Sequence, residues 1–585
     1  MRDKNAEVMT TLATSAPRVR RHIWADGESL ASAAILTAVL LVGLLTIRDQ
    51  GITIDEFVFD EFGPKMLDWY LSGFHKTYSY YDEGVVYYGP WFQILVGIVQ
   101  SLTDTDRFDV RHAVTFMVGL AGLAAVVPIG RIAIGRWAGF AALMLCLLTG
   151  NLYGHLFFSP YDTPFLATMT WSVLAILLMA RRDAPSWGTT ACAGVLTGLA
   201  LATRVGGLIT DVYLAAAMGL SAVELFLRDG KPAWRGALWV GAHAASAVLI
   251  GWTVAFALWP WVQTADPLGQ FNVALAHFSK LDVDFWIPTW GRRVLTTDLP
   301  WTYVPGELLA KLPEGFIVLL VAAFGLGCAA CARFVSACMG GVKRESVVGL
   351  KAPLLALARS RGLLIVAMAA TAPLVIAIVI RPTLFSGVRH FLFVIPMLAL
   401  LAAWGLWRMA PLIRKYPILA GVVAAVQIVP VVVTLWMLHP LEYIATNAFA
   451  GGTPGSYGRF DLDYWTVAAT EAVRRLEQRL AADTTGRFAS RPPRVRVCIP
   501  WREALVGSMF RQNWIVEAED PAKADFVIET EISHCAAGGR VIDEVRRFDR
   551  TFAWTVEQTS ATASKTRPSY SASRTRDDFV SKLRQ

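Results

Sequence analysis

The feature that most constrains this chain is a set of apolar runs, each roughly the length of one membrane span. A helix needs about 20 predominantly apolar residues to cross the hydrocarbon core of a bilayer. Only helices and closed barrels satisfy their backbone groups in lipid, and these runs lack the alternation of barrel strands. The sequence therefore predicts an all-α polytopic membrane protein. The clearest runs are 32–46, 140–156, 187–201, 236–258, 315–330, 363–380 and 418–438.

The composition agrees with a membrane protein. Hydrophobic residues make up 55% of the 585 residues and charged residues only 17%, whereas a soluble chain carries about a quarter charged residues. The net charge of +8 is largely explained by basic residues at the cytoplasmic ends of spans. We therefore expect membrane lipids as partners and no nucleic acid.

The segment before the first run is basic and predicts the orientation. About thirty residues precede that run, too many for the n-region of a cleaved signal peptide, and no small-residue cleavage site follows. By the positive-inside rule, Arg18, Arg20 and Arg21 place the N-terminus in the cytoplasm. The later loops expected on the same side carry Arg131, Arg136, Arg181, Arg182, Arg228, Lys231, Arg235, Lys343, Arg344, Lys351, Arg359, Arg361, Arg408, Arg414 and Lys415.

The segments between these basic loops are expected on the extracytoplasmic side. They are 49–110, 159–163, 260–313, 381–390 and everything after residue 439. We expect about eleven to thirteen spans, the number depending on whether the short run 89–100 crosses the membrane.

The composition changes to that of a soluble domain beyond the last run. Residues 463–482 have helical spacing, while 494–499, 526–530 and 543–558 read as strands. Cys498 and Cys535 both fall here, and whether they form a disulfide is left open. We predict a leader at 1–30, a transmembrane catalytic domain at 31–440, an extracytoplasmic α/β domain at 441–560 and a disordered tail at 561–585.

The densest polar sequence lies directly after the first apolar run. Asp55 and Glu56 follow the end of this run by a few residues, which places both carboxylates near the membrane surface. A general base acting on an acceptor hydroxyl needs such a position. A solvated acidic loop is the alternative, and the dipeptide alone does not exclude it.

Six passages on the expected outer side resemble motifs of the GT-C superfamily of membrane glycosyltransferases. The similarity is greatest to the branch that contains protein O-mannosyltransferases and aminoarabinose transferases, whose signature is Asp-Glu just after the first transmembrane helix. Residues 87–92 depart from that branch, which often has His-Pro-Pro-Leu there, so the contacts of that motif cannot be carried over. The passages are 55–56, 87–92, 159–164, 300–313, 387–392 and 450–465.

The resemblance implies a GT-C fold and a role for each matching residue. Asp55 would be the general base, with Glu56 supporting it or orienting the acceptor. Arginine suits a leaving phosphate because its fork binds two oxygens and keeps its charge. The outer cations are Arg111, Arg204, Arg292, Arg293, Arg381, Arg389 and Lys311. We select Arg389, Arg111 and Lys311 for the donor phosphate, and Asp162, Tyr88, Tyr303 and His390 for the acceptor or substrate.

The implied activity is transfer of a hexose or pentose from a polyprenyl-phosphate donor to a glycan, lipid or protein acceptor in the cell envelope. We expect no obligatory metal, with a divalent ion as an optional cofactor. We expect the protein in the bacterial inner membrane. The main alternative is a transporter or lipid flippase, which usually shows internal repeats; none is apparent here. An O-antigen polymerase or ligase and a scaffold for partner proteins are further alternatives.

Overall fold

The computed structural model describes residues 26–75, 84–181, 184–229, 234–279, 281, 283–342, 347–483, 486–488, 490–498, 509–536 and 538–558. The predictions for most of the leader and for the tail concern residues outside these ranges.

Within these ranges the chain is a multi-pass helical protein, which confirms the predicted class. Nine helices are long and apolar enough to cross a membrane, judged by length and composition. They are Gly27–Leu45, Arg107–Ala133, Asp162–Ala180, Val205–Arg228, Trp234–Ala257, Glu314–Met339, Arg361–Ile380, Arg389–Arg408 and Pro417–Leu438.

Shorter apolar helices account for the difference from the predicted number of spans. Ala138–Leu147 and Gly150–Phe158 form a pair bent by 73°, which counts as a tenth span if the two are taken together. The 15-residue helix Trp187–Leu201 is apolar but shorter than the helices that qualify as spans. Trp91–Ser101 has 11 residues, so it rises only about 16 Å and does not cross.

The remaining helices lie between or beyond the spans. They are Ile54–Phe59, Phe62–Leu71, Pro260–Gln263, Pro267–Ser279, Tyr303–Lys311, Val347–Arg359, Ala410–Lys415, Gly452–Ser456 and Val467–Ala481.

Burial separates the central helix of the bundle from a peripheral one. Nearly all side chains of Asp162–Ala180 are buried. In Pro417–Leu438, by contrast, apolar side chains such as Ile418, Val422 and Trp436 are exposed. Exposed apolar faces of this length are expected to contact lipid tails.

Basic residues from distant loops meet at one end of the bundle. Arg131 binds Glu28, in the first turn of the first span, with an N–O distance of 2.9 Å. Arg361 forms an ion pair with Glu224, and Gly362 packs directly against Ala133. The loops predicted to share one side therefore lie together.

The segment between the helices Trp234–Ala257 and Glu314–Met339 covers the opposite end. It contains the antiparallel hairpin of β1 (Trp286–Thr289) and β2 (Arg292–Leu295). Trp259 donates from Nε1 to the carbonyl oxygen of Val86 at 2.9 Å, so this segment packs on the first long loop.

The C-terminal part contains a small five-stranded sheet. Its strands are β3 (Arg494–Val497), β4 (Val516–Glu517), β5 (Phe526–Thr530), β6 (Arg540–Arg547) and β7 (Arg550–Glu557), in the order β4-β3-β5-β7-β6. β3 runs parallel to β4 and β5, whereas β5, β7 and β6 are antiparallel neighbours. A small α/β domain is therefore confirmed.

Two details of this domain differ from or complete the sequence prediction. Residues 543–558 were expected to form one strand, but they belong to β6 and β7, which turn at Phe548 in the left-handed region (φ 55°). The β-rich pattern continues through this turn, so the sequence does not reveal it. Cys498 and Cys535 form a disulfide.

The helix Val467–Ala481 contacts the start of the first long loop, the segment 49–110 that follows the first span. Arg474 donates to the carbonyl oxygens of Asp49 and Gln50 at 3.0 and 2.8 Å. A Cβ on Gly51 would lie 2.6 Å from the carbonyl oxygen of Val467, so only glycine permits this approach. The C-terminal part thereby positions the loop that carries Asp55.

Candidate active site

Asp55 and Arg389, 334 residues apart in sequence, form an ion pair at the end of the bundle covered by the C-terminal domain. Asp55 lies in the first turn of Ile54–Phe59, and Arg389 begins the span Arg389–Arg408. Nη1 of Arg389 lies 2.5 Å from Oδ2 of Asp55. The side chain of Asp55 is 29% exposed and that of Arg389 is 9% exposed, so the carboxylate remains accessible to a substrate.

Two aromatic rings and a tight turn hold the Arg389 guanidinium. Its central carbon lies 4.8 Å from the ring centre of Phe385 and 5.2 Å from that of Trp465, distances that favour cation–π attraction. Gly387, with φ +63°, makes the turn before it. Nε of Arg389 is buried without a hydrogen-bond partner among the described residues.

Glu56 supports Asp55 from within the protein. Its Oε2 accepts hydrogen bonds from the backbone N–H and hydroxyl of Thr53 at 2.9 and 3.0 Å, and Thr53 in turn caps the Glu56 N–H. Its Oε1 lies 3.0 Å from Nε2 of His112. Because Glu56 is fully buried, this reciprocal cap fixes the helix that presents Asp55.

A second acid–arginine pair lies beside the first. Arg204 Nη2 is 2.7 Å from Oδ1 of Asp162, while the Ser159 hydroxyl donates to Oδ2 at 2.8 Å. Tyr88 lies under Arg204, with 5.6 Å between guanidinium and ring centre. A Cβ on Gly89 would overlap the carbonyl oxygen of Ala202, which shows how closely the two segments approach.

Lys311 provides a third cation, and this one is buried. Its side chain is 3% exposed, and its Nζ has no hydrogen-bond partner in the described part of the chain. Burial lowers the pKa of Lys311, and the negative charges of Glu307 and Asp461 oppose this shift. Burial, assisted by the charge of Glu307, raises the pKa of Asp461 to about 7.

These groups interact as one set, which we call the charge cluster: Asp55, Arg389, Asp162, Arg204, Lys311 and Asp461. Arg389 is within electrostatic range of Asp55, Asp162 and Asp461. Asp461 connects this group to Lys311. Buried N–H groups of three cations thus converge near one accessible carboxylate, an arrangement suited to binding an anion.

The other predicted substrate residues lie around the cluster at different depths. His390 follows Arg389, and its ring lies 5.1 Å from that of Phe385 with Nδ1 unpaired among the described residues. Tyr303 is fully buried near Glu307 and Asp461. Their substrate-binding roles stay predictions.

Arg111 is placed apart from the cluster. Its guanidinium donates to Oε1 of Gln93 at 2.6 Å and to the carbonyl oxygen of Phe59 at 3.3 Å, and it lies 3.6 Å from Asp60. Because the side chain is 1% exposed, these contacts stabilise the loop behind Asp55. We therefore leave Arg111 out of the proposed phosphate site.

The structure adds residues for which the sequence assigned no specific role. Arg204 was one of several outer cations, and Asp461, Tyr464 and Trp465 were only part of a motif. The Tyr464 hydroxyl lies 2.7 Å from Nε2 of His155. The signal for these three was the run 461–465 itself, in which two acids are followed by two aromatic residues after the last span.

No group of three or more His, Cys, Asp or Glu side chains in the described ranges is arranged to hold a metal ion. The expectation of no obligatory metal stays a prediction.

Solved structures of two kinds of enzyme are similar to this chain. ArnT from Cupriavidus metallidurans bound to undecaprenyl phosphate matches with 14% identity and a TM-score of 0.48, over 91% of this chain and 98% of that one. The apo state of the same protein gives a TM-score of 0.46 at 14% identity, over 90% of this chain and 98% of that one.

The oligosaccharyltransferase of Archaeoglobus fulgidus also matches, with 12% identity and a TM-score of 0.39, over 81% of this chain and 63% of that one. ArnT and this oligosaccharyltransferase are GT-C members, the superfamily that the sequence motifs resemble. No family model and no curated protein matches the chain. Because the TM-scores lie below 0.5, the functional assignment is based on the residues of the charge cluster.

Proposed function

We propose that this protein is a glycosyltransferase that moves a hexose or pentose from a polyprenyl-phosphate donor to an acceptor hydroxyl. The observation that carries the proposal is the accessible Asp55 carboxylate, set beside buried cations whose N–H groups lack partners within the described residues. Such a site offers a proton acceptor beside an anion-binding surface.

The chemistry follows from these two functions. Asp55 takes the proton of the acceptor hydroxyl as that oxygen forms a bond to the anomeric carbon of the sugar. The bond from this carbon to the phosphate oxygen breaks at the same time, and its electron pair leaves with the polyprenyl phosphate. Arg389 and Lys311 stabilise the negative charge on that phosphate.

The ion pair couples donor binding to base activation. In the free protein Nη1 of Arg389 is hydrogen-bonded to Oδ2 of Asp55. A donor phosphate competes for the same guanidinium. Asp55 then becomes available as a base when a donor is present.

Acceptor-side contacts are proposed for the second pair and for the aromatic residues around it. Asp162 and Tyr88 lie next to Arg204. Tyr303 lies near Glu307 and Asp461, the acids that interact with Lys311, and His390 lies near Arg389. They provide hydrogen bonds and ring faces of the kind that sugar and hydroxyl substrates use.

We further propose that the cluster faces the extracytoplasmic side of the bacterial inner membrane. The disulfide of the C-terminal domain suits an oxidising compartment. This domain contacts the loop that carries Asp55. The basic residues lie at the other end of the bundle, which favours a cytoplasmic N-terminus.

The test is sugar transfer in membranes supplied with a panel of labelled polyprenyl-phosphate sugars. Asp55→Asn keeps the shape of the side chain and removes the base, so we expect transfer to fall about 10²- to 10⁴-fold. Asp104→Asn is the matched control, because Asp104 is an exposed acid in the same long loop.

Each outcome of this test is informative. Equal transfer by the wild type and Asp55→Asn would show that Asp55 is not the base. If the wild type transfers none of the donors, the transporter or flippase alternative is favoured instead.

A further inference from the structure

Tyr464 and His155 form a hydrogen-bonded pair behind the charge cluster. The hydroxyl of Tyr464 lies 2.7 Å from Nε2 of His155. Nδ1 of His155 is hydrogen-bonded to the backbone carbonyl oxygen of Asn151. Both side chains are buried, so their geometry is fixed by packing.

The direction of these hydrogen bonds follows from the groups involved. A carbonyl oxygen only accepts, so Nδ1 of His155 carries a proton and donates it to Asn151. Arg389 and Lys311 are the charges close to this buried ring, and a second ring proton would add another positive charge there. Nε2 of the neutral ring therefore accepts, and the Tyr464 hydroxyl is the donor.

Tyr464 lies beside the charge cluster: its ring centre is 5.1 Å from that of Trp465, the ring that lies 5.2 Å from the Arg389 guanidinium. Arg389, Asp461, Asp162 and Asp55 are within electrostatic range of its oxygen, and burial raises the pKa of Tyr464 well above its ordinary value. The phenol therefore stays protonated, with its one proton directed to His155. Towards the cluster it acts as a hydrogen-bond acceptor.

The group that pairs with this oxygen must donate a hydrogen bond. Carboxylate oxygens accept hydrogen bonds. Arg389 directs Nη1 to Asp55, and its Nε makes no hydrogen bond among the described residues. If the donor phosphate binds Arg389, the atoms nearest to Tyr464 belong to the sugar that the phosphate carries. Sugar hydroxyls are the donors available there.

We propose that Tyr464 determines donor specificity by accepting a hydrogen bond from one hydroxyl of the transferred sugar, and that His155 is the positioning residue that orients it. This inference rests on the proposed glycosyl transfer. It names the part of the substrate that the segment after the last span recognises.

The experiment compares kcat/KM for the undecaprenyl-phosphate sugar that the wild type transfers best with kcat/KM for each of its monodeoxy analogues. We expect one analogue to lose about fivefold in the wild type, because a neutral hydrogen bond contributes roughly 1 kcal/mol. In Tyr464→Phe this loss should disappear for that analogue alone. Losses on the other analogues should remain.

Tyr443→Phe is the matched control. Tyr443 belongs to the same aromatic group and donates its hydroxyl to Asp463 instead, so this variant should discriminate between donors as the wild type does. The ratio of two donors on one variant is independent of how much protein has folded.

The inference is overturned if Tyr464→Phe discriminates against every analogue as strongly as the wild type. If Tyr464→Phe does not accumulate, the same ratios are measured for His155→Phe, which removes the acceptor of the phenol proton. Unchanged ratios there also overturn it. Absence of transfer by the wild type would instead refute the proposed function.

Discussion

Replacing Arg389 by glutamine tests whether the leaving phosphate is stabilised by this side chain. Arg389→Gln removes a positive charge that is 9% exposed and 2.5 Å from Asp55. It also removes the planar group held near Phe385 and Trp465. Asp55 itself stays in the first turn of its helix, whose start is fixed by the reciprocal cap between Thr53 and Glu56.

The expected magnitude follows from when the charge is needed. A hydrogen-bond donor directed at the negative charge that develops in the transition state contributes about 10²- to 10³-fold in kcat. We therefore expect kcat to fall by about that factor in Arg389→Gln, with a smaller change in the donor KM. Arg389→Lys keeps the positive charge but loses the planar guanidinium that can bind two phosphate oxygens at once. Its kcat should therefore lie between those of the wild type and Arg389→Gln.

The assay is the steady-state rate of transfer from a labelled polyprenyl-phosphate sugar, with Arg381→Gln as control. Arg381 is an exposed arginine that follows the helix Arg361–Ile380 and lies outside the charge cluster. The double variant Asp55→Asn/Arg389→Gln restores the charge balance, so its melting temperature should be higher than that of Arg389→Gln, while its rate of transfer should not exceed that of either single variant. Equal kcat for Arg389→Gln and Arg381→Gln would refute the role of Arg389.

Three further predictions concern stability, pH and metal. Glu56→Gln weakens the reciprocal cap with Thr53 and the contact to His112. We therefore expect the free energy of unfolding to fall by about 1–3 kcal/mol, with a lower melting temperature and a lower kcat but no change in the donor KM. An unchanged melting temperature would contradict this prediction. The folded protein keeps the proton of Asp461 up to about pH 7, whereas the unfolded chain loses it near its ordinary pKa of 3.8. Stability should therefore decrease as the pH rises between these values and become level above pH 7. Thermal melts of Asp461→Asn should lack this decrease of stability with pH. If Asp461→Asn and the wild type show the same pH dependence of stability, Asp461 is not its cause. Washing membranes with EDTA should leave transfer unchanged, and loss of transfer that is restored by a divalent ion would show that a metal is required.

The helices of the fold were readable from sequence because lipid imposes a simple rule. Each long apolar run must satisfy its own backbone, so run length alone locates a span. The number of spans could not be predicted as well. The helix Trp187–Leu201 is shorter than a full span, and the pair that ends at Phe158 is bent in the middle. Their place in the bundle depends on packing between helices, which the local pattern does not encode.

The charge cluster was only partly predictable. The sequence selected Asp55 and Arg389 separately, yet no local pattern indicates that they pair across 334 residues. Glu56 looks identical to Asp55 in a linear reading, but the helix start at Thr53 turns it inward. Arg111 matched the expected residue type and side, and its burial against Gln93 follows from the fold alone.

The position of the charge cluster along the helices favours the glycosyltransferase hypothesis over the transporter hypothesis. Asp162 and Arg389 are the first residues of their spans, and Lys311 precedes the span Glu314–Met339 by three residues. Transporters place their substrate and ion sites near the middle of the membrane, at breaks in helices that exchange access between the two sides. Here the charged groups lie where the helices begin, under the segment 260–313 and the C-terminal domain. In the proposed function, a donor whose lipid tail lies among the spans would reach this level with its phosphate, and an acceptor would arrive from the aqueous side. The site therefore lies where a lipid-linked and a water-exposed substrate can meet without either crossing the membrane.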